Sequence, residues 1–69
     1  MKTEHFIAQH LEDARVVIGN LIELSCWFEV TPLPFDKYEI VTKAEGHLAC
    51  AGVSADRIET VRGGRQNIW

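Results

Sequence analysis

Residues 3–25, TEHFIAQHLEDARVVIGNLIELS, are one third of the chain, and their reading decides the fold. At about 100° per position, Phe6, Ile7, His10, Leu11, Ala14, Val17, Ile18, Leu21, Ile22 and Leu24 gather in one arc of roughly 160°. Glu4, His5, Gln9, Glu12, Asp13, Arg15, Asn20 and Glu23 fall outside that arc. The pattern predicts a single long amphipathic helix from Thr3 to Ser25, with Thr3 as N-cap and Glu4 at the positive end of the helix dipole. Gly19 falls on the polar side, where it costs about 1 kcal/mol relative to alanine. A helix of about 22 residues is a rod of about 33 Å, against a diameter near 28 Å expected for a globule of this size. Such a rod is too long and its apolar arc too wide for one short hairpin to cover. Phe6, Ile7, His10, Ala14, Leu21 and Ile22 are therefore expected to form an oligomer interface, with a homodimer as the expected assembly.

The chain that follows supplies the sheet. Cys26 to Thr31 and Lys37 to Lys43 alternate in the manner of strands, and Pro32 and Pro34 stiffen the loop between them into a hairpin tip. Cys26, Phe28 and Val30 share one face, as do Tyr38, Ile40 and Thr42, and both sets are expected to pack on the helix. Ala44 to Gly52 predicts a second helix of about two turns starting at Glu45, with Gly52 as its C-cap and Gly46 weakening it. Asp56 to Arg62 alternates again, and Gly63-Gly64 before residues 65–69 signals another hairpin. A short helix capped by Ser54 and running to Val61 is the competing reading of that segment. The expected architecture is a single α+β domain over residues 1–69, with one long N-terminal helix on a small antiparallel sheet in the order α-β-β-α-β-(β).

Size and charge narrow the function. A chain of 69 residues hides only about 60% of its unfolded surface, so its core is small and oligomerisation would help it. The formal net charge of −3 argues against a chain whose main task is to coat nucleic acid or an anionic membrane. No apolar run approaches the roughly 18 residues of a membrane span, and the first apolar positions are too interrupted for a secretory signal. The expectation is a cytoplasmic protein whose two cysteines, Cys26 and Cys50, stay reduced.

Candidate chemistry is sparse. His47 and Cys50 are spaced i, i+3, so with Cys26 and His10 a His2Cys2 zinc site can be drawn. Structural zinc sites usually show two tight ligand pairs, whereas this chain offers one, and no metal or other cofactor is expected. The same His47–Cys50 pair lacks an orienting third group and an oxyanion pocket, so no catalysis is expected either. Arg57, Arg62, Arg65 and Trp69 around the Gly-Gly turn are the ingredients of a single-strand nucleic-acid ribbon. Few positive charges and an acidic body weigh against it. Trp27, Leu33, Phe35 and Tyr38 form the best candidate contact patch, because Leu33 and Phe35 flank Pro34 at a loop tip and aromatic residues dominate interface energetics. The sequence thus favours a small non-catalytic protein-binding module, a regulator or inhibitor of the phage or bacterial accessory type. Single-stranded nucleic-acid binding through the arginine-rich C-terminal hairpin is the alternative.

Overall fold

The computed structural model describes residues 3–61 of the chain. Among them the elements run β1 (Glu4–Ala8), α1 (Leu11–Glu23), β2 (Phe28–Leu33), β3 (Lys37–Thr42), α2 (Gly46–Ala49), a 3-10 turn over Ala55–Arg57, and β4 (Ile58–Val61). The strands form one antiparallel sheet in the order β2-β3-β1-β4. Each strand–helix–strand unit is split by a strand of the other, giving a doubled split-βαβ topology. The class is α+β, with a helix layer on a small antiparallel sheet.

The expected helix from Thr3 to Ser25 is corrected at its front end. Residues 4–8 are a strand, the chain order is β-α-β-β-α-β, and α1 has 13 residues, a rod of about 20 Å. Five residues are too few to separate a period of 2.0 from one of 3.6: Phe6 and Ile7 fall in the helical arc, whereas Phe6 and Ala8, two apart, share a strand face. Here β1 pairs with β3 on one side and β4 on the other. That central position uses its backbone hydrogen-bonding groups on both edges and buries Phe6 and Ala8 on one face. His10 then becomes the N-cap, with extended backbone and no side-chain capping bond, and Glu12 and Asp13 occupy the first turn. The far end of the helix lies close to the expected position. Ser25 takes a left-handed φ of 57° and the Cys26 amide donates to the Leu21 carbonyl, which closes the last turn.

The core lies between α1 and one face of the sheet. Ala14, Val17 and Leu21 of the helix meet Phe6, Ala8 and Ile40, with Ala44 and Ala49 closing the cluster. Thr42 is buried among them with both functions of its hydroxyl used: Oγ1 donates to the Trp27 carbonyl at 2.7 Å and accepts from the Ala44 amide at 3.2 Å. Asn20 ties the two helices together, its Nδ2 donating to the carbonyls of Ala49 and Ala51 at 2.9 and 2.8 Å.

Three smaller expectations are refined. Strand β2 runs through Pro32 to Leu33 instead of stopping at Thr31, because β2 is a sheet edge, where a missing amide need break no ladder bond. The second helix is one turn rather than two, and Gly52 follows it with a φ of 87°. Residues 54–61 contain both of the competing readings, a 3-10 turn after Ser54 and then a strand. The hairpin through Gly63-Gly64 lies outside the described residues.

Candidate protein-binding surfaces

The hairpin joining β2 and β3 ends in a three-residue tip, residues 34–36. Phe35 and Asp36 both have left-handed backbones, with φ of 65° and 62°, a conformation that costs roughly 1–2 kcal/mol for a residue with a Cβ. Phe35 is 91% exposed. The loop does not fold back over the sheet, and the strained turn holds an aromatic ring in solvent.

The four residues of the expected contact patch are not brought together. Leu33 is half-buried and faces away from the helices, whereas Tyr38 is half-buried on the opposite face and packs against the core. Trp27, 52% exposed, precedes β2 and is held near Thr42 by its carbonyl. A six-residue strand separates it from the tip, about 20 Å. Residue type groups Trp27 with Phe35 in the sequence, but the length of β2 holds them at opposite ends of the hairpin.

The expected oligomer residues divide in the same way. Phe6, Ala14 and Leu21 are fully buried inside the single chain, so they have no surface to give a partner and are corrected to core positions. Ile7 is half-buried on the sheet, His10 is exposed at the helix start, and Ile22 is 63% exposed. On α1 the Val16–Asn20 flank faces α2, as the Asn20 bonds and the approach of Val16 to Gly52 show. Leu11 and Ile22 lie on the other flank, toward β2, where Val30 is also exposed. These apolar side chains were hidden in the sequence by a hydrophobic arc that did not distinguish core from rim.

Both helices pack on one face of the sheet, which leaves the other open among the described residues. The strand register sets side chains there in rows. One row is Glu29, Val41, His5, Val61, and the next is Thr31, Glu39, Ile7, Glu59. His5 Nδ1 lies 3.6 Å from Glu39 Oε2 at the centre of this face. The sequence signal for this surface was the alternation of the strands, legible once β1 is recognised as one.

A cleft of about 340 Å³ opens between the short α2 and β4, lined by Phe6, Gly46, His47, Cys50, Val53, Ala55, Ile58 and Thr60. Burial pushes the Cys50 thiol above its ordinary range, which disfavours the thiolate that a nucleophile requires. His47 is exposed and lies 3.7 Å from Glu45. Cys26 and Cys50 are both free thiols. No group of three or more His, Cys, Asp or Glu side chains among the described residues is placed to hold a metal ion.

Of the residues for the nucleic-acid alternative, Arg62, Arg65 and Trp69 lie outside the described residues. Arg57 is placed, and its Nε is 3.3 Å from the buried carboxylate of Asp13. Among the described residues no helix is long and apolar enough to cross a membrane. Comparison of the chain with protein-family models, curated proteins and solved structures finds no match.

Proposed function

We propose that this protein is a small non-catalytic protein-binding module, a regulator or inhibitor that engages its target through the β2–β3 hairpin tip. The observation that carries this reading is Phe35. An aromatic side chain 91% exposed on a left-handed backbone is costly on both counts, and interfaces are where exposed aromatic anchors contribute. A homodimer through the Leu11–Ile22 flank of α1 is part of the proposal, since that flank leaves apolar side chains uncovered in the single chain. Engagement of Arg57 with Asp13 weakens the nucleic-acid alternative. The test is affinity capture from cells that carry the protein, with a Phe35→Gly chain in parallel, followed by titration of the purified captured protein. Loss of at least tenfold in affinity with Phe35→Gly is expected, and equal binding by both chains overturns the reading.

A further inference from the structure

The outer edge of β2 carries a backbone hydrogen-bonding pattern that is complementary to itself. We infer that two copies of this chain pair their β2 strands antiparallel about a twofold axis at Val30, joining the two sheets into one. The inference rests on the homodimer proposed for this chain and assigns its seam. One bond sets the direction of every backbone group in the sheet. The Gln9 amide donates to the Arg57 carbonyl at 3.2 Å, in register with the His5–Val61 and Ile7–Glu59 pairs. Odd residues of β1 therefore bond β4, and even ones bond β3. Carried across the registers, Tyr38, Ile40 and Thr42 bond β1, whereas Lys37, Glu39 and Val41 bond β2. Phe28, Val30 and Pro32 are then the β2 residues whose backbone groups turn outward. Pro32 sits where no ladder amide is needed, and Glu29 to Pro32 are all exposed.

Among the described residues no strand pairs with this edge, where the sheet ends. Residues 62–69 follow β4 at the opposite side of the sheet, four strand spacings or about 19 Å from the place of a strand beside β2. A straight path over that distance takes about six residues at about 3.3 Å each, which leaves too few for a six-residue edge.

Charge and proline select the register. A twofold axis at Glu29 sets the two Glu29 carboxylates opposite each other, which is destabilising. At Thr31 it sets Val30 against Pro32, which has no amide to return the bond. At Phe28 it calls on Cys26, which precedes the strand and whose amide already donates to the Leu21 carbonyl. At Val30 the two valines exchange both bonds, each Phe28 amide meets the Pro32 carbonyl of the other copy, and Glu29 faces neutral Thr31. The Phe28 carbonyls, opposite Pro32, are left to water at the ends of the seam. One position further, Trp27 of each copy comes opposite Leu33 of the other. Exposed Val30, Leu11 and Ile22 line the helix side of the seam. A strip about 20 Å long and about 20 Å deep through the strand and helix layers is roughly 400 Å² per copy, half of the roughly 800 Å² of a standard interface. Association is therefore reversible and concentration-dependent. Each β2 edge is used once, so this contact closes at two copies.

Sedimentation of the whole chain over a range of concentrations tests the seam, and a reversible dimer is expected. Val30→Pro removes the amide that the two copies exchange but no bond to β3, since that amide points outward. It is expected to weaken the dimer at least tenfold and to leave the circular dichroism of the monomer unchanged. Disulfide trapping in a Cys26→Ser/Cys50→Ser chain reads the register. Val30→Cys sets Cα atoms about 5.5 Å apart across the axis, within disulfide reach, whereas Glu29→Cys sets them about 8 Å apart, outside it. The linked dimer is expected to form at least tenfold faster with Val30→Cys than with Glu29→Cys, and trapping decides alone should Val30→Pro fail to fold. A strict monomer overturns both this inference and the homodimer on which it rests. A dimer that Val30→Pro leaves intact, or that Glu29→Cys traps as fast as Val30→Cys, overturns the β2 seam while the homodimer stands. None of these variants alters Phe35, so capture of a target at the hairpin tip is read separately.

Discussion

Arg57 reaches back across the molecule to Asp13: its Nε lies 3.3 Å from the Oδ2 of a carboxylate that is only 6% exposed. The contact joins the first turn of α1 to the entry of β4, where the Gln9 amide also donates to the Arg57 carbonyl at 3.2 Å. Because Asp13 Oδ2 makes no hydrogen bond, the guanidinium charge is its main compensation. Arg57→Ala is expected to destabilise the fold by about 1–3 kcal/mol, less than a fully buried pair because the arginine is half-exposed. Urea denaturation measures it. If Asp13→Ala/Arg57→Ala costs as much as the two single changes added together, the pair is not coupled.

Thr42→Val keeps the shape of a buried side chain but leaves the Trp27 carbonyl and the Ala44 amide without their partner. A loss of about 1–3 kcal/mol is expected in chemical denaturation. A neutral result would mean that water replaces the hydroxyl.

At the hairpin tip the expected sign is opposite. Phe35→Gly relieves a left-handed backbone at a site with no packing to lose. Stability should stay level or rise by up to about 1 kcal/mol, and thermal unfolding would detect a fall. Glycine at this position thus separates a role in binding from a role in folding.

Phe6→Ala removes a ring from the centre of the core and is expected to cost about 3–5 kcal/mol. The effect should be independent of protein concentration, because the residue is buried within one chain. A loss that appears only on dilution would place Phe6 between chains.

The Ser54 hydroxyl, 2.7 Å from Asp56 Oδ1, lowers the Asp56 pKa below the usual aspartate range, with further help from a backbone hydrogen bond. A depressed folded pKa stabilises the fold above the unfolded pKa, and that stabilisation is lost as pH falls through the folded value. Ser54→Ala should therefore raise the Asp56 titration midpoint, read by carboxyl NMR. An unchanged midpoint would remove the hydroxyl as its cause.

The hairpin β2–β3, the core positions Ile40 and Thr42 and the α+β class were legible because alternation and turn residues are local signals. Helix α1 from Leu11 onward was legible for the same reason, since Ala14, Val17 and Leu21 recur at helical spacing. The N-terminal strand was not. Phe6, Ile7 and His10 fit a helical arc as readily as Phe6 and Ala8 fit a strand face, and the choice was made by β3 and β4, some 30 and 50 residues downstream, pairing with both edges of β1. The candidate surfaces depend on that choice. Phe35 at a tip was visible in the sequence, but its exposure, and its separation from Trp27, follow from how far β2 runs. By itself the sequence determined which residues are apolar and which local periods they follow. Only the tertiary structure decided which apolar residues are core, which are rim and which face of the sheet the helices cover, because burial depends on what packs against a residue as well as on the residue itself.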